Sequence, residues 1–116
     1  MNIIIKNESL YDLTKISREN LIKQFQEKLQ GRVLGAYFFG SFARNEVHSA
    51  SDLDLLLVVD NPSHDFVGRA KAFVDLWDIF PAIDLIVYSK EEFDRKNTNE
   101  TQGGWLEMKK DFFKIL

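Results

Sequence analysis

The sequence predicts a small α/β (α+β) domain, one mixed β-sheet flanked by helices, and three observations predict it. Short runs of branched and aromatic residues alternate with segments whose apolar residues recur at helical spacing, so strands and helices are mixed along the chain. One of those runs, Leu55-Leu56-Leu57-Val58-Val59, is apolar on both faces, as a central strand covered from both sides would be. The chain has 116 residues, the size of one compact domain, and residues 1–116 are read as a single unit.

Taken in order, Ile3 to Ile5 suggest a short strand or a packed arm. Residues 10–30 form the first helix. Leu21, Phe25 and Leu29 recur every four residues with Ile22 beside them, Ser17 or Ser9 is placed to cap it, and Gly31 to end it. Residues 33–39 read as a strand, Gly40-Ser41 as a turn, and residues 42–46 as a short helix. Residues 52–59 are the second strand and Asn61-Pro62-Ser63 a turn. Over residues 65–78, Phe66, Ala70, Phe73, Val74 and Trp77 make a helical stripe, which reads as core. Pro81 breaks the chain, residues 83–88 form a third strand, residues 91–96 a short polar helix, and residues 97–104 a loop. Residues 105–116 place Trp105, Met108, Phe112 and Ile115 at helical spacing and are expected to close the core as a helix.

Composition removes several classes of function. No cysteine is present, which excludes disulfides, zinc–thiolate sites and thiol catalysis. The hydrophobic share of 45% is that of a folded globular protein. No apolar run approaches the roughly 20 residues that cross a bilayer, and the first residues lack a signal-peptide pattern, so the expected location is cytoplasmic. A net charge of −3 argues against gripping extended nucleic acid, which needs a basic face. It leaves room for a single nucleotide, because bound cations reverse a local charge balance.

The informative stretch runs from Gly40 to Asp54. A Gly-Ser pair directly follows a strand, two aspartates flank Leu53 at the head of the next strand, and a third, Asp84, lies near the start of another apolar strand. Period two along a strand puts Asp52 and Asp54 on one face, and Asp84 can join them if its strand is the neighbour. Carboxylates about 5 Å apart repel by roughly 3 kcal/mol per pair at an effective dielectric near 20. Such a cluster needs protons, basic groups or metals to neutralise it. Oxygen donors beside substrate phosphates suit Mg²⁺, and paired ions recur in nucleotidyl transfer. Gly40 would let a phosphate approach the backbone, the amides of the following turn and the Ser41 hydroxyl would donate to it, and Arg44 would add positive charge.

This stretch resembles the signature of the polymerase-β-type nucleotidyltransferase superfamily: Gly-Ser, ten residues (Phe42 to Ser51), then Asp-x-Asp. Ala43-Arg44 and Ser51-Asp52-Leu53-Asp54-Leu55 are similar to its minimal members, the MNT domains, and Asp84 sits where that family places a third carboxylate. The resemblance covers residues 21 to 90. It departs at Asn45, where many members have glycine, although asparagine tolerates left-handed backbone. The resemblance implies that Asp52 and Asp54 hold two Mg²⁺ ions, that Asp84 holds the catalytic one and helps activate an acceptor hydroxyl, and that Ser41 holds the terminal phosphates of ATP or another nucleoside triphosphate. It also implies a protein partner of the helical HEPN class, in a toxin–antitoxin pair whose antitoxin adenylylates the toxin.

The same residues admit other readings. Arg44 can be a surface residue paired with Glu46, Ser41 a helix cap, and Asp84 a solvated acid. His48 and His64 read as surface residues, Asp60 as a turn residue, and Lys109, Lys110 and Lys114 as a solvated face. Phe42, with no core stripe to join, is a candidate for an exposed docking surface. At the level of function the alternatives are a non-catalytic nucleotide- or partner-binding module and a phospho-acceptor domain. The latter fits less well, because the acids lie at strand beginnings and the Gly-Ser turn would have no role. Acceptor, base preference and oligomeric state, a homo-oligomer included, are not legible.

Overall fold

The computed structural model describes residues 12–62, 65–99 and 103–116. The expected strand or arm at Ile3–Ile5, and His64, lie outside them. The chain opens with a 3₁₀ turn at Leu13–Lys15 and helix α1, Arg18–Leu29. Ser17 caps α1 by accepting from the Asn20 amide at 3.2 Å, and Gly31 follows its end at φ +80°. Strand β1 (Gly35–Phe39) runs into the single turn α2 (Gly40–Ala43), then β2 (Leu53–Val59), α3 (Phe66–Lys71) and a 3₁₀ segment at Val74–Asp78. Strand β3 (Ile83–Ser89), α4 (Lys90–Asn99), α5 (Gly104–Lys109) and the short β4 (Phe113–Lys114) complete it.

The four strands form one mixed sheet in the order β3-β2-β1-β4. β2 runs antiparallel to β1 and parallel to β3, so it is central, as its two-sided apolar run requires. Period two divides its side chains. Leu53, Leu55, Leu57 and Val59 join the buried cluster of Leu21, Phe25 and Leu29 from α1, with Phe38, Phe73, Leu76 and Phe80. Leu56 and Val58 face the other way, against Trp105 of α5 and the partly buried Tyr37, Ile86, Tyr88, Phe93 and Phe112. Asp54 points to that second face. Among the described residues no helix is long and apolar enough to cross a membrane.

Four expectations need correction. Residues 65–78 are not one α-helix. The chain tightens to three residues per turn at Val74–Asp78. That period buries Phe73 and Leu76 and turns Val74 out, 66% exposed, so the stripe read at 3.6 residues per turn chose the wrong residue. Residues 105–116 are not one helix either: α5 stops at Lys109 and the chain extends as β4 alongside Tyr37 and Phe38. Helical spacing would put Trp105 and Ile115 on one stripe, yet they lie in opposite clusters, and only a strand lets the tail reach both. Residues 112–115 alternate, with Phe112 in the second cluster, Phe113 over Arg18, Lys114 over Tyr37, and Ile115 in the first. α4 also runs further than expected, through Asn99. A reciprocal cap starts it: the Glu92 amide donates to Ser89 Oγ at 3.1 Å and the Ser89 amide donates to Glu92 Oε1 at 2.8 Å.

The fourth correction is Phe42. It is only 3% exposed and meets Phe38 edge-on, with ring centroids 4.9 Å apart, so it is core and offers no docking surface. Burial of an aromatic on a one-turn helix anchors that turn to the sheet. Phe42→Ala is expected to destabilise the domain by about 3–4 kcal/mol, the cost of deleting a buried ring. Urea denaturation checks this, and a change within about 0.5 kcal/mol, typical of a surface position, would contradict it.

Candidate active site

The parallel pairing of β2 with β3 places Asp54 directly beside Asp84. The antiparallel pairing of β1 with β2 places Phe39, the last residue of β1, opposite Asp54. Gly40 therefore emerges at the flank of Asp54. Asp52 lies two residues earlier, just outside the ladder, which begins where the Leu53 amide donates to the Ala82 carbonyl at 2.9 Å. All three acids thus gather at one end of the sheet, where β2 and β3 begin. Asp52 and Asp84 are exposed and Asp54 is half-buried.

The electrostatics follow from that placement. Burial raises the Asp54 carboxyl to about 6, the negative charges of Asp84 and Asp52 push in the same direction, and Arg44 opposes them. Asp54 therefore senses both of the other carboxylates.

Gly40 has two reasons to be glycine. Its φ of +69° lies in the left-handed region. A Cβ there would also stand 2.1 Å from Asp54 Oδ2, inside any allowed contact. The small residue leaves room for the Asp54 carboxylate. Ser41 is not a helix cap: the cap position of α2 is Phe39, with no side-chain bond, and among the described residues the Ser41 hydroxyl has no partner. The Asn45 backbone takes φ +59°, left-handed as glycine would be, so the turn survives the departure from the family pattern.

Arg44 does pair with Glu46, Nε to Oε1 at 2.6 Å, and also with Asp111, Nη1 to Oδ2 at 2.6 Å. Asp111, which sequence reasoning did not single out, holds Arg44 from the turn before β4. No periodicity marks that contact; it arises from the chain path. His48 is exposed, and its Nδ1 accepts from the Ala50 amide at 3.2 Å, which closes the loop before Asp52. Asp60 is an exposed residue just past β2, and Lys109, Lys110 and Lys114 are exposed.

Hard oxygen donors without sulfur or histidine fit Mg²⁺ by chemistry. Among the described residues, however, no three acidic or histidine side chains already stand as a metal-holding group, so Asp52, Asp54 and Asp84 would have to turn inward to share an ion.

This fold, with paired strand-head aspartates beside a Gly-Ser turn, is that of a nucleotidyltransferase. A family model of the nucleotidyltransferase domain matches residues 18–114, and the chain belongs to that family. A crystal structure of a candidate nucleotidyltransferase from Sulfolobus solfataricus shares the fold, with a TM-score of 0.53 over 80% of this chain and 85% of that one, at 24% identity. No curated protein matches the chain. Nucleotidyl transfer is the general activity that family membership gives the domain.

The raised carboxyl makes a stability prediction. The folded state holds the Asp54 proton up to about pH 6, against 3.8 for a free side chain. Its contribution is therefore present below about pH 4 and lost as the pH rises through about 6. The full shift is worth about 3 kcal/mol, which solvent screening of a half-exposed group lowers to about 1–2 kcal/mol. In chelator, Asp54→Asn should be more stable than the parent by that amount near pH 7 and equal to it near pH 4. Urea titrations at both values check this; a variant less stable near pH 7 would contradict the assignment.

Proposed function

We propose that the domain transfers a nucleoside monophosphate from a nucleoside triphosphate, AMP from ATP, to a hydroxyl acceptor in the presence of Mg²⁺. The observation that carries this is the side-by-side register of Asp54 and Asp84, with Gly40 against the Asp54 carboxylate. Asp52 and Asp54 would hold two ions and Asp84 would share the one nearer the acceptor. When bound, the ions supply the positive charge that lets a triphosphate approach three carboxylates.

The chain's own residues do the rest. Ser41, whose hydroxyl has no partner among the described residues, donates to the terminal phosphates. Asp84 accepts the proton of the acceptor hydroxyl as its oxygen bonds to the α-phosphorus. The bond from that phosphorus to the bridging oxygen breaks, and the electron pair leaves with pyrophosphate. Arg44 can contact the triphosphate only by exchanging Asp111 or Glu46 for it. An exposed ion pair of this kind is weak and screened by solvent and salt, so the exchange is cheap.

The resemblance to MNT domains supports a protein acceptor, a hydroxyl side chain on a HEPN-type partner, and hence an antitoxin role. Since Phe42 is core, the docking surface lies elsewhere.

Two aspartate variants separate the roles. Asp54→Asn should lose both Mg²⁺-dependent triphosphate binding and transfer. Asp84→Asn should keep its affinity within a few-fold and lose transfer by about 10²–10⁴, the usual contribution of a positioned base. Isothermal titration beside a labelled-ATP assay, with the co-encoded neighbour as acceptor, reads both. Undiminished transfer in Asp84→Asn would overturn its role, and binding without transfer in the parent would make the domain a non-catalytic module.

A further inference from the structure

A single helical turn cannot hold its own shape, because nucleation is unfavourable and α2 has only four residues. Its carbonyl end is held from outside. The guanidinium of Arg18, the first residue of α1, donates from Nη1 to the Phe42 carbonyl and from Nη2 to the Ala43 carbonyl, the latter at 3.3 Å. The same group lies 4.5 Å from the centroid of the Phe42 ring and 5.3 Å from that of Phe113 in β4. A planar cation that forks to two carbonyls and stacks on aromatic rings is a task for arginine and not for lysine. Phe42 is itself locked against Phe38. Arg18 thus fixes both residues that follow Ser41, whose own carbonyl accepts from the Glu46 amide at 2.9 Å. The carbonyls that Arg18 holds therefore belong to the turn that carries Ser41.

We infer that Arg18 is a positioning residue of the triphosphate site: it touches no substrate, and by holding the Phe42 and Ala43 carbonyls it aims the Ser41 hydroxyl at the terminal phosphates. The inference rests on the assignment of Ser41 to those phosphates under the proposed function.

The test is a double-mutant cycle on Mg-ATP affinity, with Mg-AMP as control, by isothermal titration well below the melting temperature. Arg18→Lys keeps the charge and loses the fork. It should weaken Mg-ATP about tenfold, as should Ser41→Ala, the scale of one hydrogen bond to a charged group. Because the two act through one contact, the double variant should be no more than about twofold weaker than either single one. Mg-AMP, which has no terminal phosphates, should change by less than about twofold, whereas a merely structural residue would weaken both nucleotides. Should Arg18→Lys melt too low to assay, Phe113→Leu at the exposed edge removes one stacking ring and should give a smaller loss of the same pattern. Unchanged Mg-ATP affinity in a folded Arg18 variant, a multiplicative double loss, or an equal loss of Mg-AMP would each overturn the inference. Parent-like affinity in Ser41→Ala alone would instead remove the Ser41 assignment beneath it.

Discussion

The site depends on the register of one parallel strand pair. With Asp54 opposite Asp84, Ile83 lies beside Leu53 and Leu85 beside Leu55. A slip of β3 by one residue would send Asp84 to the other face and turn the apolar side chains of β3 out of their clusters. The register is held by burial: Leu53, Leu55, Leu56 and Leu57 are fully enclosed, so every residue of β2 from Leu55 onward is committed to one cluster or the other. The two acids are thus placed by hydrophobic packing further along the same strands, not by contacts of their own.

What that packing works against is electrostatic. Asp54 is half-buried beside two like charges, and the Arg44 cation that opposes them acts more weakly than either burial or those charges and is already shared between Glu46 and Asp111. A stable sheet holds an unfavourable cluster at its end, which is the usual relation between a scaffold and a polar site. Gly40 belongs to the same logic. A left-handed backbone and the missing Cβ bring the Gly-Ser turn against Asp54, so that turn and the acid-bearing strand head are one packed unit.

The linear parts of this arrangement were legible in the sequence. The spacing from Ser41 to Asp52 and Asp54, the two-sided apolar run of β2, the Ser17 cap and the tolerance of Asn45 for a left-handed turn are local properties, and local rules read them. The neighbour relation of Asp54 and Asp84 was conditional on strand order, which period alone does not give. The contacts that depend on chain path were not legible. Phe42 has no periodic partners, because a one-turn helix has no stripe. Asp111 reaches Arg44, and Arg18 reaches the Phe42 carbonyl, across long stretches of sequence. The tail of residues 112–115 satisfies a helical spacing and a strand alternation at once, and the unpaired edge of β1 decided between them.

The central claim is that the carboxylates at the head of β2 and β3 form a cation-dependent triphosphate site. Its most direct test compares the melting shift given by ATP with Mg²⁺ against that given by ATP with chelator. At a hundred times its dissociation constant a ligand adds about 2.7 kcal/mol. The account predicts a stabilisation of that order with Mg²⁺, little or none with chelator, and loss of the difference in Asp54→Asn. Equal shifts with and without Mg²⁺ would contradict it.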